Sequence, residues 1–143
     1  MLAVIVEIVR YFPGVFGKLT AIPSTGARGE QAAAKYLKRH GYLVLGRNLR
    51  NRLGEIDLLA EAPDRNTIVV VEVKARTGNS QAFLPETRVT EYKKRKLTAL
   101  SALVARRYNL INRPFRFDIV GVDCPIGSKP VVRHHVGAFE SHV

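Results

Sequence analysis

Cysteine is all but absent: Cys124 is the only one in 143 residues. That excludes an internal disulfide and a thiolate zinc site, and it suits a reducing, cytoplasmic compartment. Acids are scarce too, 12 Asp and Glu against 23 Lys and Arg, for a formal net charge of +11 and a pI near 10.3. Such an excess draws polyanions. Nucleic acid is the usual partner, with an anionic membrane, the ribosome or mere solubility as the alternatives. Long apolar runs are missing as well. The opening MLAVIVEIVRYFPGVF is interrupted by Glu7, lacks a positively charged start and is too short to span a bilayer. Residues 1–22 are therefore expected to form an apolar appendage, a short helix with Leu2, Ile5, Val6 and Val9 on one face, ended at Pro13 and Gly14. No stable membrane association is expected, and a membrane-surface role has only this segment in its favour. Repeats, low-complexity segments, zinc fingers and an evident recognition helix are also lacking, so any nucleic acid is expected to be read by shape rather than base sequence.

What is present fits one α/β domain over residues 23–143, long enough to bury a core but not two. Residues 25–40 read as a helix, with Ser24 or Thr25 as N-cap and Gly41 as the stop. Ala33, Ala34 and Leu37 form its apolar stripe, and Glu30 lies on the same side. A carboxylate there either marks the end of the stripe, near solvent, or reaches a site as a further acid. A strand is expected at 42–47, then a basic connection at 48–53 with Arg50 and Arg52, and later a loop at 77–85. A second helix is expected at 88–108, with Tyr92, Leu97, Leu100, Leu103, Val104 and Tyr108 in helical period. Its first turns carry Lys93, Lys94, Arg95 and Lys96, which must meet solvent or phosphate. Residues 115–122 and 131–136 read as strands. Asp118 is expected to be a hydrogen-bonded strand residue, and the adjacent His134 and His135 point to opposite faces and cannot share a metal. The order predicts a central mixed sheet flanked by helices.

Residues 54–76, GEIDLLAEAPDRNTIVVVEVKAR, read as a β-hairpin turning at Pro63, Asp64, Arg65 and Asn66. With that loop Ala62 faces Thr67, Leu59 faces Val70, Asp57 faces Glu72 and Glu55 faces Lys74. Alternation puts Ile68, Val70, Glu72 and Lys74 on one face with Asp57 and Glu55. Directly opposed residues have Cβ atoms roughly 4.5–5.5 Å apart, and like charges there repel. A shared proton, Lys74 or a divalent cation compensates. A cation such as Mg²⁺ uses both carboxylates at neutral pH and keeps waters for a phosphate. The alternative is a solvent-exposed hairpin edge on which Glu55 pairs with Lys74.

Gly29-Glu30, Gly54-Glu55-Ile56-Asp57-Leu58-Leu59-Ala60, Val71-Glu72-Val73-Lys74-Ala75-Arg76 and Arg116-Phe117-Asp118-Ile119-Val120 together resemble the YraN family of bacterial proteins. The resemblance spans residues 25–136. It implies a restriction-endonuclease-like fold with an α-β-β-β-α-β core, similar also to archaeal Holliday junction resolvases. It implies Asp57 and Glu72 as metal ligands, Lys74 as the catalytic lysine and Glu30 as the helix acid of resolvase-type members. The expectation is a Mg²⁺- or Mn²⁺-dependent endonuclease acting on DNA ahead of RNA, on branched or otherwise structured substrates. The alternative is a nucleic-acid-binding protein of the same fold without turnover. Arg50, Arg52, Arg76, Lys93, Lys94, Arg95 and Lys96 are expected to hold the phosphate backbone. A homodimer is the form a resolvase would need, since two strands must be cut. One departure is Leu84, beside Phe83, where relatives are expected to carry glycine.

Overall fold

The computed structural model describes residues 25–78 and 89–139; the 1–22 appendage and the Phe83–Leu84 departure lie outside them. Helix α1 spans Thr25–Arg39 and ends as its sequence requires. Gly41 takes φ 85°, the Tyr42 N–H donates to Leu37 O at 3.0 Å and the Gly41 N–H to Lys38 O at 3.2 Å. This Schellman arrangement satisfies two carbonyls that the helix leaves open, and Tyr42 packs in the same core as Leu37.

Five strands follow, β1 (Leu43–Asn51), β2 (Gly54–Glu61), β3 (Ile68–Arg76), β4 (Phe115–Asp123) and β5 (Val131–Phe139), with helix α2 (Glu91–Arg107) between β3 and β4. The Thr90 side chain caps α2 by accepting the Lys93 N–H at 3.2 Å. Strand β1 runs on through the stretch expected to be a connection, because its residues 49–51 pair with 54–56 of β2. The sheet order is β1-β2-β3-β4-β5. Only β3 and β4 are parallel; the other neighbours are antiparallel. A helix must carry the chain back between parallel strands, and α2 does so. The described residues form a single α/β domain with a mixed sheet, the restriction-endonuclease-like architecture.

Two cores lie on opposite faces of the sheet. Ala33, Ala34 and Leu37 of α1 pack on Leu58, Ala60, Val69, Val71, Val120 and Val122. Leu97, Leu100, Val104 and Ala105 of α2 pack on Ile56, Leu59, Ile68, Val70 and Phe117. Because both faces are covered, β3 opens on an unbroken apolar run, residues 68–71, rather than alternating. Gly29 lets α1 approach closely: a Cβ there would collide with the Cβ of Ala75. At the turn end, Asp64 Oδ1 accepts the N–H groups of Asn66 and Thr67 at 2.9 and 2.8 Å. The buried Glu61 carboxylate pairs with Arg113 at 2.9 Å, and Arg113 Nε donates to Asn66 O at 2.7 Å. That end of the hairpin is locked to the chain leading into β4. No described helix is long and apolar enough to cross a membrane.

Candidate active site

The opposite end of the hairpin is open. Pairing of β2 with β3 follows the expected register from Glu61↔Ile68 to Leu58↔Val71, with Leu59 facing Val70. Continued, it would set Asp57 against Glu72. The ladder stops at Leu58 instead, and the Asp57 side chain takes over, Oδ2 accepting the Val73 N–H at 2.8 Å. Strict alternation also fails here, because Ile56 and Leu59 both pack in the α2-side core while Leu58 belongs to the other. Asp57 sits at that break, level with Asn48, whose φ is 50°. The expected pairing of Glu55 with Lys74 does not form. Glu55 pairs with Arg50 across the β1–β2 ladder at 3.0 Å, and Lys74 Nζ lies 3.5 Å from Glu72 Oε1.

Four charged groups from three elements gather around Asp57. Glu72 of β3 is 5% exposed. Its Oε1 carries both Lys74 and Lys93 of α2, the latter at 3.1 Å. Its Oε2 is buried with no hydrogen-bond partner among the described residues. Glu30, from α1, is held by Asn48 Nδ2 at 3.0 Å. Burial, then the negative charge of Glu72, push the Asp57 carboxyl from its ordinary 3.8 up to about 7; Glu30 adds to the rise, and the Val73 N–H and Lys93 oppose it. Among the described residues no group of three His, Cys, Asp or Glu side chains is gathered closely enough to hold a metal ion. A site built on Asp57 and Glu72 alone remains within reach of an ion that takes one or two carboxylates and keeps its waters. The bare Glu72 oxygen and the carboxyl that resists ionising beside it are a donor set that suits a dication, since either would be relieved by one.

The fork starts midway along β3, where Glu72 is level with Ile119 of β4, and opens toward the carboxyl ends of these parallel strands, the side on which open α/β sheets place their ligands. Arg76 and Arg133 flank Asp123 at the same end, Arg76 Nε at 2.5 Å and Arg133 Nη1 at 2.9 Å. Arg76 is thus engaged within the sheet. Lys94 pairs with Glu91 at 2.8 Å, whereas Arg52, Arg95 and Lys96 are exposed and Arg50 remains 72% exposed despite its pair. Asn48 and the reach of Lys93 into the site are what sequence reasoning missed. Lys93 stands among four consecutive cations with nothing to single it out until Thr90 is known to cap the helix and set its phase.

A sequence model described as Uncharacterised protein family UPF0102, the YraN family, matches residues 29–122. The chain belongs to that family. The matched span begins at Gly29 and contains Glu30, Asp57, Glu72, Lys74 and Lys93. Similar family members include a UPF0102 protein of Pelobacter propionicus, 36% identical over 82% of this chain and 83% of the relative. One of Geobacter metallireducens is 38% identical over 82% and 93%, and one of Symbiobacterium thermophilum 44% identical over 68% and 80%.

Proposed function

We propose that this UPF0102 protein is a phosphodiesterase that cleaves DNA, preferentially branched or otherwise structured DNA, with Mg²⁺ or Mn²⁺ as cofactor. The reading is carried by Glu72: a buried carboxylate with one oxygen unpaired, next to Asp57 and flanked by two lysines. Asp57 and Glu72 would hold the ion, with the Val73 carbonyl as a further oxygen. Bound there, the ion would acidify a water and neutralise charge on the scissile phosphate.

The chain's own groups divide the remaining work. Lys74, 3.5 Å from Glu72 Oε1 and about one-third exposed, can orient a water or donate to a phosphate oxygen where negative charge develops. Glu30, fixed by Asn48, keeps negative charge beside Asp57. The exposed Arg50, Arg52, Arg95 and Lys96 supply salt-sensitive, sequence-independent attraction to the backbone.

The test is cleavage of branched, nicked, single-stranded and duplex DNA with Mg²⁺ or Mn²⁺, run beside Glu72→Ala and Lys74→Ala. Each substitution is expected to lower the rate by about 100-fold or more. Activity that survives both would mark a contaminating nuclease and remove the reading. A protein that binds branched DNA but never cuts it would be a binding module of the same fold.

A further inference from the structure

We propose that Lys93 is the resident counter-ion of this site: it occupies Glu72 in the free protein and gives it up to a divalent cation when an internal phosphodiester arrives to take the ammonium. The inference rests on the phosphodiesterase reading above and adds how substrate and cation are coupled.

Lys74 and Lys93 share one oxygen of Glu72, at 3.5 and 3.1 Å, and leave the other bare. Two ammonium groups on one oxygen repel each other, and the arrangement is tolerable because Asp57 and Glu30 add negative charge nearby. The two lysines differ in freedom. Lys74 lies two residues along the same strand as Glu72, so the pleat keeps it alongside. Lys93 comes from the first turn of α2 on a flexible stem, 38% exposed, and can exchange a carboxylate for a phosphate oxygen without moving the backbone. Phosphate is also favoured beside that positive helix end.

Formal charge points to the same exchange. With all three carboxylates (Glu30, Asp57, Glu72) ionised, as a bound cation would favour, they and two lysines (Lys74, Lys93) sum to −1, and a dication would bring the sum to +1. A phosphodiester, with one negative charge, balances that sum. A terminal phosphomonoester, carrying about −1.5 to −2 at pH 7, overshoots it. Internal linkages therefore suit the site better than chain ends. Because coupling is reciprocal, a phosphodiester that draws Lys93 away must tighten the cation by the same factor as the cation tightens the phosphodiester.

The experiment measures Mn²⁺ affinity of the full chain by water-proton relaxation, with and without a phosphorothioate DNA duplex. The variants are Lys93→Met, Lys93→Arg, Asp57→Ala and Arg106→Met, the last removing an exposed charge farther along α2. For the wild type, the duplex is expected to tighten Mn²⁺ by about tenfold, within the usual range of coupling between sites. Lys93→Met should bind Mn²⁺ about tenfold more tightly without DNA and gain little from adding it, while Lys93→Arg and Arg106→Met behave as wild type. Tightening by Arg106→Met equal to that by Lys93→Met would reduce the effect to general charge and overturn the proposal. So would a Lys93→Met protein that binds Mn²⁺ no more tightly than wild type; loss of binding in Asp57→Ala would then leave the phosphodiesterase site standing. A wild type that binds no Mn²⁺ in either condition removes both readings.

Discussion

Asp118 and Asp57 are both carboxylates set into the central sheet, and the protein treats them in opposite ways. Asp118 accepts two hydrogen bonds from Arg116, both at 2.8 Å, one from His134 Nε2 at 2.7 Å and one from the Gly137 N–H at 2.9 Å. Burial would raise its pKa, but the bonds from His134, Arg116 and Gly137 outweigh burial and hold the carboxyl below its usual value. Among the described residues Asp57 accepts a single bond, from Val73, and it stands beside Glu72 and Glu30 with its carboxyl pushed up to about 7. The fold is thus able to satisfy a buried acid fully, and does so where β4 meets β5. At the fork between β2 and β3 it leaves one under-satisfied, with its pKa raised by burial and by Glu72. On the reading proposed above, the difference separates a carboxylate that holds the structure together from one kept for a ligand.

Removing each acid is the sharpest way to test this contrast. Asp118→Ala strands Arg116 and His134 and should cost about 3 kcal/mol, read as a lower urea midpoint at unchanged m-value. Asp57→Asn should lose no stability and should gain some at neutral pH, where the wild-type carboxyl ionises against burial and the charge of Glu72. Equal losses would make Asp57 structural too.

The two kinds of acid should also give opposite pH slopes in metal-free protein. Asp57, raised from 3.8 to about 7, favours the folded state most below pH 4, and that contribution is lost as pH rises from about 4 to about 7. Asp57→Asn should flatten this fall in a series of urea melts in chelator. Asp123, held near 2 by Arg76 and then Arg133, works in reverse: its contribution is complete above about pH 4 and disappears as pH drops toward 2. Asp123→Asn should weaken that acid limb alone.

A smaller effect tests how α1 is placed. Gly29→Ala forces a methyl into Ala75 and should cost about 1–3 kcal/mol by overpacking. Because Glu30 is the next residue, the same change should alter Mn²⁺ affinity, whereas an Ala introduced at the exposed Gln31 should not. Smallest of all is Glu55→Gln. The Arg50–Glu55 pair is largely exposed on the arginine side, and its loss should cost under about 0.5 kcal/mol in thermal melts.

Much of this was legible from the chain alone. Gly41 announced the end of α1, and Pro63, Asp64 and Asn66 fixed a turn that fixed the register, so Ala62 meets Thr67 and Leu59 meets Val70. The apolar positions of β3 and α1 mark the buried faces; in the second helical stretch Leu97, Leu100, Val104 and Tyr108 are buried as expected, but Tyr92 and Leu103 are exposed, because α2 covers the sheet with a narrower stripe. Less legible was anything that depends on several elements meeting. Extrapolating the hairpin ladder three residues too far set Glu55 against Lys74, because nothing local shows that β2 leaves β3 at Leu58 to pair on with β1. Glu61 reads as an ordinary surface acid until Arg113, 52 residues away, closes over it.

Turn chemistry and hydrophobic periodicity are properties of neighbours in sequence, and by themselves they determined the order of the elements and most of the faces they bury. The fork at Asp57, the unpaired oxygen of Glu72 and the arrival of Lys93 are different in kind. Each depends on where a strand or helix end stops relative to another element, which packing of α1 and α2 on the two faces of the sheet decides and no short stretch of residues encodes.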